Sequence, residues 1–236
     1  MKTLHRIILL TIGLFAVSYV AQAQIGVYNP YKFEFSGGGN LSEMEVSGSK
    51  VDGEFKIGFH FYGSFTYNLY QEFGVKTGIM LSKKGLKHKV DSYSEDELTG
   101  KVTHLNAKTT IDANYMQVPL MLGYEFKVDK RVAITLFGGG YGAYGFTGET
   151  KMKGTEETIY GAIVGSSRDI DSKEDTFDGT LKKFDYGIMA AAGVVLDDMY
   201  TLNLSYEFGL TNLSENTQIY NSLKNRNYMF SVGFRF

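Results

Sequence analysis

The chain has no cysteine and no tryptophan, and only two prolines in 236 residues. The missing cysteines exclude a disulfide scaffold, a thiolate metal centre and the lipid-bearing cysteine of a bacterial lipoprotein. The fold must hold together without covalent staples. Surplus charge is missing as well. A net charge of -2, with basic residues scattered among acidic ones, leaves no electrostatic footprint for nucleic acid. Beyond the N-terminus no continuous apolar run reaches the ~20 residues of a helical membrane span.

One apolar run does occur, at the start. A basic patch (Lys2, His5, Arg6), an apolar stretch from Ile7 to Val17 and a small-residue site Ala21-Gln22-Ala23 have the three-part layout of a secretory signal peptide. Residues 1–23 are therefore expected to be removed, leaving Gln24 first in a single domain over 24–236. The abundant residues are 28 glycines, 17 tyrosines and 17 phenylalanines, a composition of strands and turns, because aromatic side chains suit a pleated surface.

Period two is the main signal in that domain. Tyr228, Phe230, Val232, Phe234 and Phe236 alternate with Asn227, Met229, Ser231, Gly233 and Arg235, and Tyr200 to Leu210 behaves in the same way. The same reading gives strands near 32–42, 54–69, 71–82, 113–126, 131–146 and 183–196, eight in all. About fifty positions on their apolar faces carry no charge in a chain that is 21% charged. Chance would place on the order of ten charges there, and a lipid-facing Lys or Arg costs ~2–4 kcal/mol at the bilayer midplane.

A soluble sandwich also alternates, so the inside-out reading needs further support. It comes from the signal peptide, from aromatics at strand ends and from the connections. Tyr67, Phe73, Tyr124, Phe126, Tyr200, Phe234 and Phe236 would form one interfacial girdle, with Tyr144, Phe146, Phe184, Tyr186, Phe208 and Tyr228 the other. Brief turns near Tyr70, at 128–130 and at 197–198 alternate with long polar loops at 43–53, 83–112, 147–182 and 212–226. That is the asymmetry of periplasmic turns and extracellular loops. The expectation is an all-β fold, an eight-stranded antiparallel up-and-down transmembrane β-barrel in the outer membrane of a Gram-negative bacterium, with outer-membrane lipid around it.

Several motifs resemble those of the outer-membrane β-barrel family of Bacteroidetes-type bacteria that includes the PorT-like proteins. They are Phe73 to Gly78 with Lys84-Gly85, Tyr115 to Leu120, the glycine-rich Phe137 to Gly145, and Tyr206 to Leu213. The resemblance covers most of the mature chain and implies a porin-like barrel. PorT-like members are associated with secretion and gliding machinery, so envelope or secretion proteins are implied partners. The closing Phe234-Arg235-Phe236 looks like the terminal aromatic signal, with Phe236 last, that the barrel-assembly machinery reads.

The candidate site is a polar network inside the barrel: Glu34, Lys56, His60, Glu72, Lys76, Glu125, Asp185, Glu207 and Arg235. Glu54 and Arg131 also fall on inward positions. Eight strands enclose a space that side chains nearly fill, and buried charges must be paired. A salt-bridged plug is expected, with Lys56, Lys76 and Arg235 answering Glu34, Glu72, Glu125 and Glu207; the other reading is a narrow or gated pore. No catalytic, cofactor-binding or metal-binding residue is expected. Gly140 to Gly145 matches a dinucleotide fingerprint without the helix and acidic partner that motif requires. His104, with Ser92, Ser94, Glu95 and Asp96 in the same loop, raises a rim hydrolase. Asp169, Asp171, Glu174, Asp175 and Asp178 raise a calcium loop, although Lys173, Thr180 and a missing glycine break the EF-hand pattern. The leading expectation is a non-enzymatic barrel with a structural, interaction or secretion-accessory role; the alternative is a small-solute channel or ligand-binding barrel.

Overall fold

The computed structural model describes residues 30–47, 53–96, 101–160, 163–215 and 221–236. The signal peptide and its cleavage site lie outside the described residues. Those described form ten strands: β1 (Tyr31–Ser47), β2 (Gly53–Glu54), β3 (Lys56–Tyr70), β4 (Phe73–Asp96), β5 (Lys101–Lys127), β6 (Val132–Tyr160), β7 (Ile163–Asp175), β8 (Phe184–Leu196), β9 (Tyr200–Gly209) and β10 (Ser222–Arg235). Eight close a ring, in the order β1, β3, β4, β5, β6, β8, β9, β10 and back to β1, every pairing antiparallel. The seam runs from Glu34 opposite Arg235 to Ser47 opposite Ser222. A closed ring satisfies every backbone donor and acceptor without water, which the hydrocarbon core demands.

The alternation sorts side chains as expected. Phe59, Phe61, Leu120, Leu122, Ile188, Leu204 and Phe230 point out and are exposed, whereas Lys76, Glu125, Asp185, Glu207 and Arg235 point in and are buried. Aromatic pairs mark both edges of the apolar belt. The Tyr200 ring lies tilted 4.9 Å from that of Phe234 at the short-turn end, and Tyr144 lies 5.0 Å from Phe184 at the other. The short-turn end, at Gln71-Glu72, 128–131 and 197–199, is the periplasmic end of an outer-membrane barrel. Gln71, Asp197 and Asp198 have φ of 50°, 53° and 55°, the left-handed geometry of tight hairpins. Inside the wall, Gly139 is needed for close approach: a Cβ there would lie 2.1 Å from the Leu120 carbonyl oxygen.

The long connections depart from expectation. Most of 83–112 and 147–182 is strand, because β4, β5 and β6 run for 24, 27 and 29 residues. They stay paired from Phe73 opposite Tyr124 to Asp96 opposite Lys101, and from Lys127 opposite Ala133 to Lys101 opposite Tyr160. β7 adds to the outer half of β6, and β2 pairs with β4 at Lys87 and His88. The hydrophobic alternation stops where the wall leaves lipid, because both faces of the sheet then meet water. The backbone ladder does not need it and continues.

Candidate functional site

The barrel interior is built in layers. At the periplasmic mouth Glu125 takes the Arg235 guanidinium at 2.6 Å and the Lys32 ammonium at 2.9 Å, and Lys32 also reaches Glu72 at 3.6 Å. Lys127 holds Glu72 from the rim at 2.6 Å. One layer deeper, Lys76 meets Glu34 at 2.8 Å, while Thr201 and Asn203 donate to the other oxygen of that carboxylate. Met80, Met121, Met189 and Met229 then pack with Tyr62 and His60 across the middle.

Above the methionines lies the most enclosed ion pair. Lys84 meets Glu207 at 2.6 Å with both side chains fully buried. Gln117 accepts from Lys84 and donates to Glu207, and Asn227 donates to the second Glu207 oxygen while accepting from Asn40. The Lys84 ammonium also sits 4.9 Å over the Tyr141 ring. Asp185 accepts from Tyr141 at 3.2 Å and Asn225 at 2.8 Å.

Leu86, Ile111, Leu181, Leu213 and Leu223 complete the filling at the extracellular mouth, where Leu181 bridges to Ser214 and Phe177 meets Tyr115 edge-on at 5.7 Å. Gly145 makes room for that phenyl ring, since a Cβ would come within 2.1 Å of it. The cavities lined by the lower two layers measure about 10 and 20 Å³, near the size of one water.

Of the residues expected in the network, Glu34, His60, Lys76, Glu125, Asp185, Glu207 and Arg235 lie in the lumen, and Glu72 lies at its lip. Two ion pairs join members of that set, Lys76 with Glu34 and Arg235 with Glu125. The other charged members take partners outside it. Lys56 is buried but turns to Asp112, which also binds Lys83 at 3.0 Å. Glu72 pairs with Lys32 and Lys127, and Glu207 with Lys84. Two inward assignments fail: Glu54 is exposed against Lys89, and Arg131 is exposed at a turn, clamped by Asp197. Lys32 and Lys84, both central to the network, were missed. Lys84 sits where the polar stretch 83–112 read as a loop; its even-numbered register with Lys76, Met80 and Ser82 is the signal that finds it.

A family model described as the outer membrane protein beta-barrel domain matches residues 20–215. The chain belongs to that family. As a member of it, this barrel resides in the outer membrane of a Gram-negative bacterium. No curated protein matches the chain. Solved structures similar to this family member include the attachment invasion locus protein Ail of Yersinia pestis, 14% identical, covering 88% of this chain and 100% of that one, TM-score 0.38. Another is OprG of Pseudomonas aeruginosa, 15% identical, covering 90% and 99%, TM-score 0.36. Neisserial surface protein A is 13% identical, covering 88% and 96%, TM-score 0.35.

This outer membrane protein beta-barrel domain carries a second constellation outside the wall, on the sheet formed by the outer halves of β4, β5 and β6 with β7. His104 stacks on Tyr93 at 4.2 Å, and its ring nitrogens lie 2.8 Å from Asp91 and 3.7 Å from Glu157. Ser92 and Ser94 alternate with Tyr93, opposite which His104 sits, so both serines face the other side of the sheet. The hydrolase grouping does not converge. Asp169, Asp171, Glu174 and Asp175 belong to strand β7 and not to a loop. Among the described residues no group of three or more His, Cys, Asp or Glu is placed to hold a metal. Asp112, at the foot of this sheet, is pushed up by burial, but Lys56 and Lys83 more than reverse that and hold its carboxyl below the usual range.

Proposed function

We propose that this protein works by contact: a closed, non-conducting, non-enzymatic barrel that holds a β-sheet outside the membrane as an interaction surface. Strand length carries the reading. A tilted strand needs ~9–11 residues to cross a bilayer, and β4, β5 and β6 have 24, 27 and 29. More than half of each serves no span, yet all three remain paired. The layered interior supports the non-conducting part, since ions would have to displace charges already paired and a methionine layer.

A secretion-accessory role is the narrower form that the PorT-like, Bacteroidetes-type resemblance suggests, with the periplasmic turns as the contact face. In either form, Phe236 serves recognition by the barrel-assembly machinery. Mass spectrometry of proteins co-purifying with the full chain from native outer membranes tests both readings. A second chain has residues 88–109 replaced by Asn-Gly. Partners lost with the shortened sheet support the extracellular surface; the same partners on both chains move the contact to the periplasmic turns. Steady conductance of the purified barrel in a planar bilayer would overturn the closed interior in favour of a small-solute channel.

A further inference from the structure

Among the described residues five methionines are buried, and four of them, Met80, Met121, Met189 and Met229, line a single cavity at the middle of the lumen. They come from β4, β5, β8 and β10, so thioethers reach one place from strands spread round the ring. No leucine, isoleucine or valine lines that cavity, although leucine and isoleucine fill the extracellular mouth. β6 brings Gly139, which stands opposite both Met121 and Met189, and β9 brings Ser205 opposite Met229. Small residues on those strands leave the space at this level to the sulfurs.

His60 of β3 lines the same cavity. It is 2% exposed, and its Nδ1 is buried without a hydrogen-bond partner. A buried polar atom left unsatisfied costs ~1–3 kcal/mol, so packing alone gives no reason for an imidazole at this position. The carboxylate on the cavity wall, Glu34, is already taken by Lys76, Thr201 and Asn203. Thioether and imidazole are what remain to hold a ligand. The cavity measures about 20 Å³, room for one small particle the size of a water and none for an organic solute.

We infer that Met80, Met121, Met189, Met229 and His60 form a binding site for one soft monovalent cation of the copper(I) class. Thioether sulfur is a soft donor that selects copper(I), whereas magnesium, calcium and manganese require the oxygen ligands that are already engaged here. Zinc is disfavoured as well, because its sites are built from thiolate, imidazole and carboxylate and its double charge would meet only neutral donors. Coordination would satisfy the His60 nitrogen. Lys76 with Glu34 on one side and Lys84 with Glu207 on the other are each internally paired, so the ion adds a single charge between two neutral pairs. Ion pairs fill one mouth and Leu181, Leu213 and Phe177 the other, so the ion is enclosed as the wall closes. The site is independent of the extracellular sheet and of what that sheet contacts.

The test refolds the full chain from urea into detergent micelles in chloride-free buffer, with either silver nitrate, which supplies a soft monovalent ion without a reductant, or zinc sulfate. Loosely held metal is removed on a desalting column. Native mass spectrometry is expected to show one silver ion per chain and no zinc. The M80L/M189L variant exchanges thioether for a branched alkyl group at nearly constant volume, so it is expected to keep the heat-modifiable gel mobility of the parent and to lose the silver. A parent barrel without silver, silver held equally by M80L/M189L, or zinc held as firmly as silver each overturns the site. X-ray absorption at the silver edge gives a second readout on the parent alone, needed if that variant does not fold. Sulfur neighbours are expected, and a shell of oxygen and nitrogen only overturns the site.

Discussion

Lys84 and Glu207 show what one buried charge demands of its neighbours. Both are fully buried, and Gln117, Asn227 and Asn40 complete their hydrogen bonds. Removing one partner strands the other charge, so Glu207→Leu is expected to cost ~3–5 kcal/mol, while Lys84→Met with Glu207→Leu recovers most of the loss. Urea unfolding of the refolded barrel in detergent micelles reads both. Asp112 gives the pH-dependent case. Its folded-state value lies below its unfolded one, so its contribution is present above the unfolded value, near ~3.9, and fades as pH falls through the folded one. Acidification is expected to lower amide protection around Lys83 to Gly85, measured as exchange relative to the intrinsic rate at each pH, and Asp112→Asn to remove that acid dependence by weakening the same contacts at neutral pH.

Among elements, the β4–β5 hairpin separates what holds the barrel from what projects from it. Its inner half contributes lipid-facing Ile79, Leu81, Met116, Val118, Leu120 and Leu122; its outer half is sheet in water. Replacing 88–109 with Asn-Gly joins Lys87 to Thr110, which are already register partners, by a turn that suits hairpins. The shortened chain is expected to keep the heat-modifiable gel mobility and urea midpoint of the parent. A chain that no longer folds would mean the outer half is needed for closure. Strands were legible where one face met lipid and illegible beyond, because Lys87 to Glu95 and Val102 to Lys108 show no apolar alternation and are set by pairing alone.

For the whole molecule, the largest energy is the contrast between a wall without charge and an interior full of it. Placing Arg at Leu120, exposed in the middle of the belt, is expected to cost ~2–4 kcal/mol, measured by urea titration in lipid vesicles; no measurable loss would show that Leu120 does not face hydrocarbon. The amino-acid order by itself determined the eight-stranded closed wall, its outward residues, its two girdles and most residues of the lumen. Each of those follows from a period-two rule that acts on neighbours in sequence. The tertiary structure alone decided the pairing of Lys84 with Glu207 and Lys56 with Asp112, the apolar closure by Leu181, Leu213 and Phe177, and the extracellular sheet. Those depend on register and on curvature across strands tens of residues apart, and no local pattern records them.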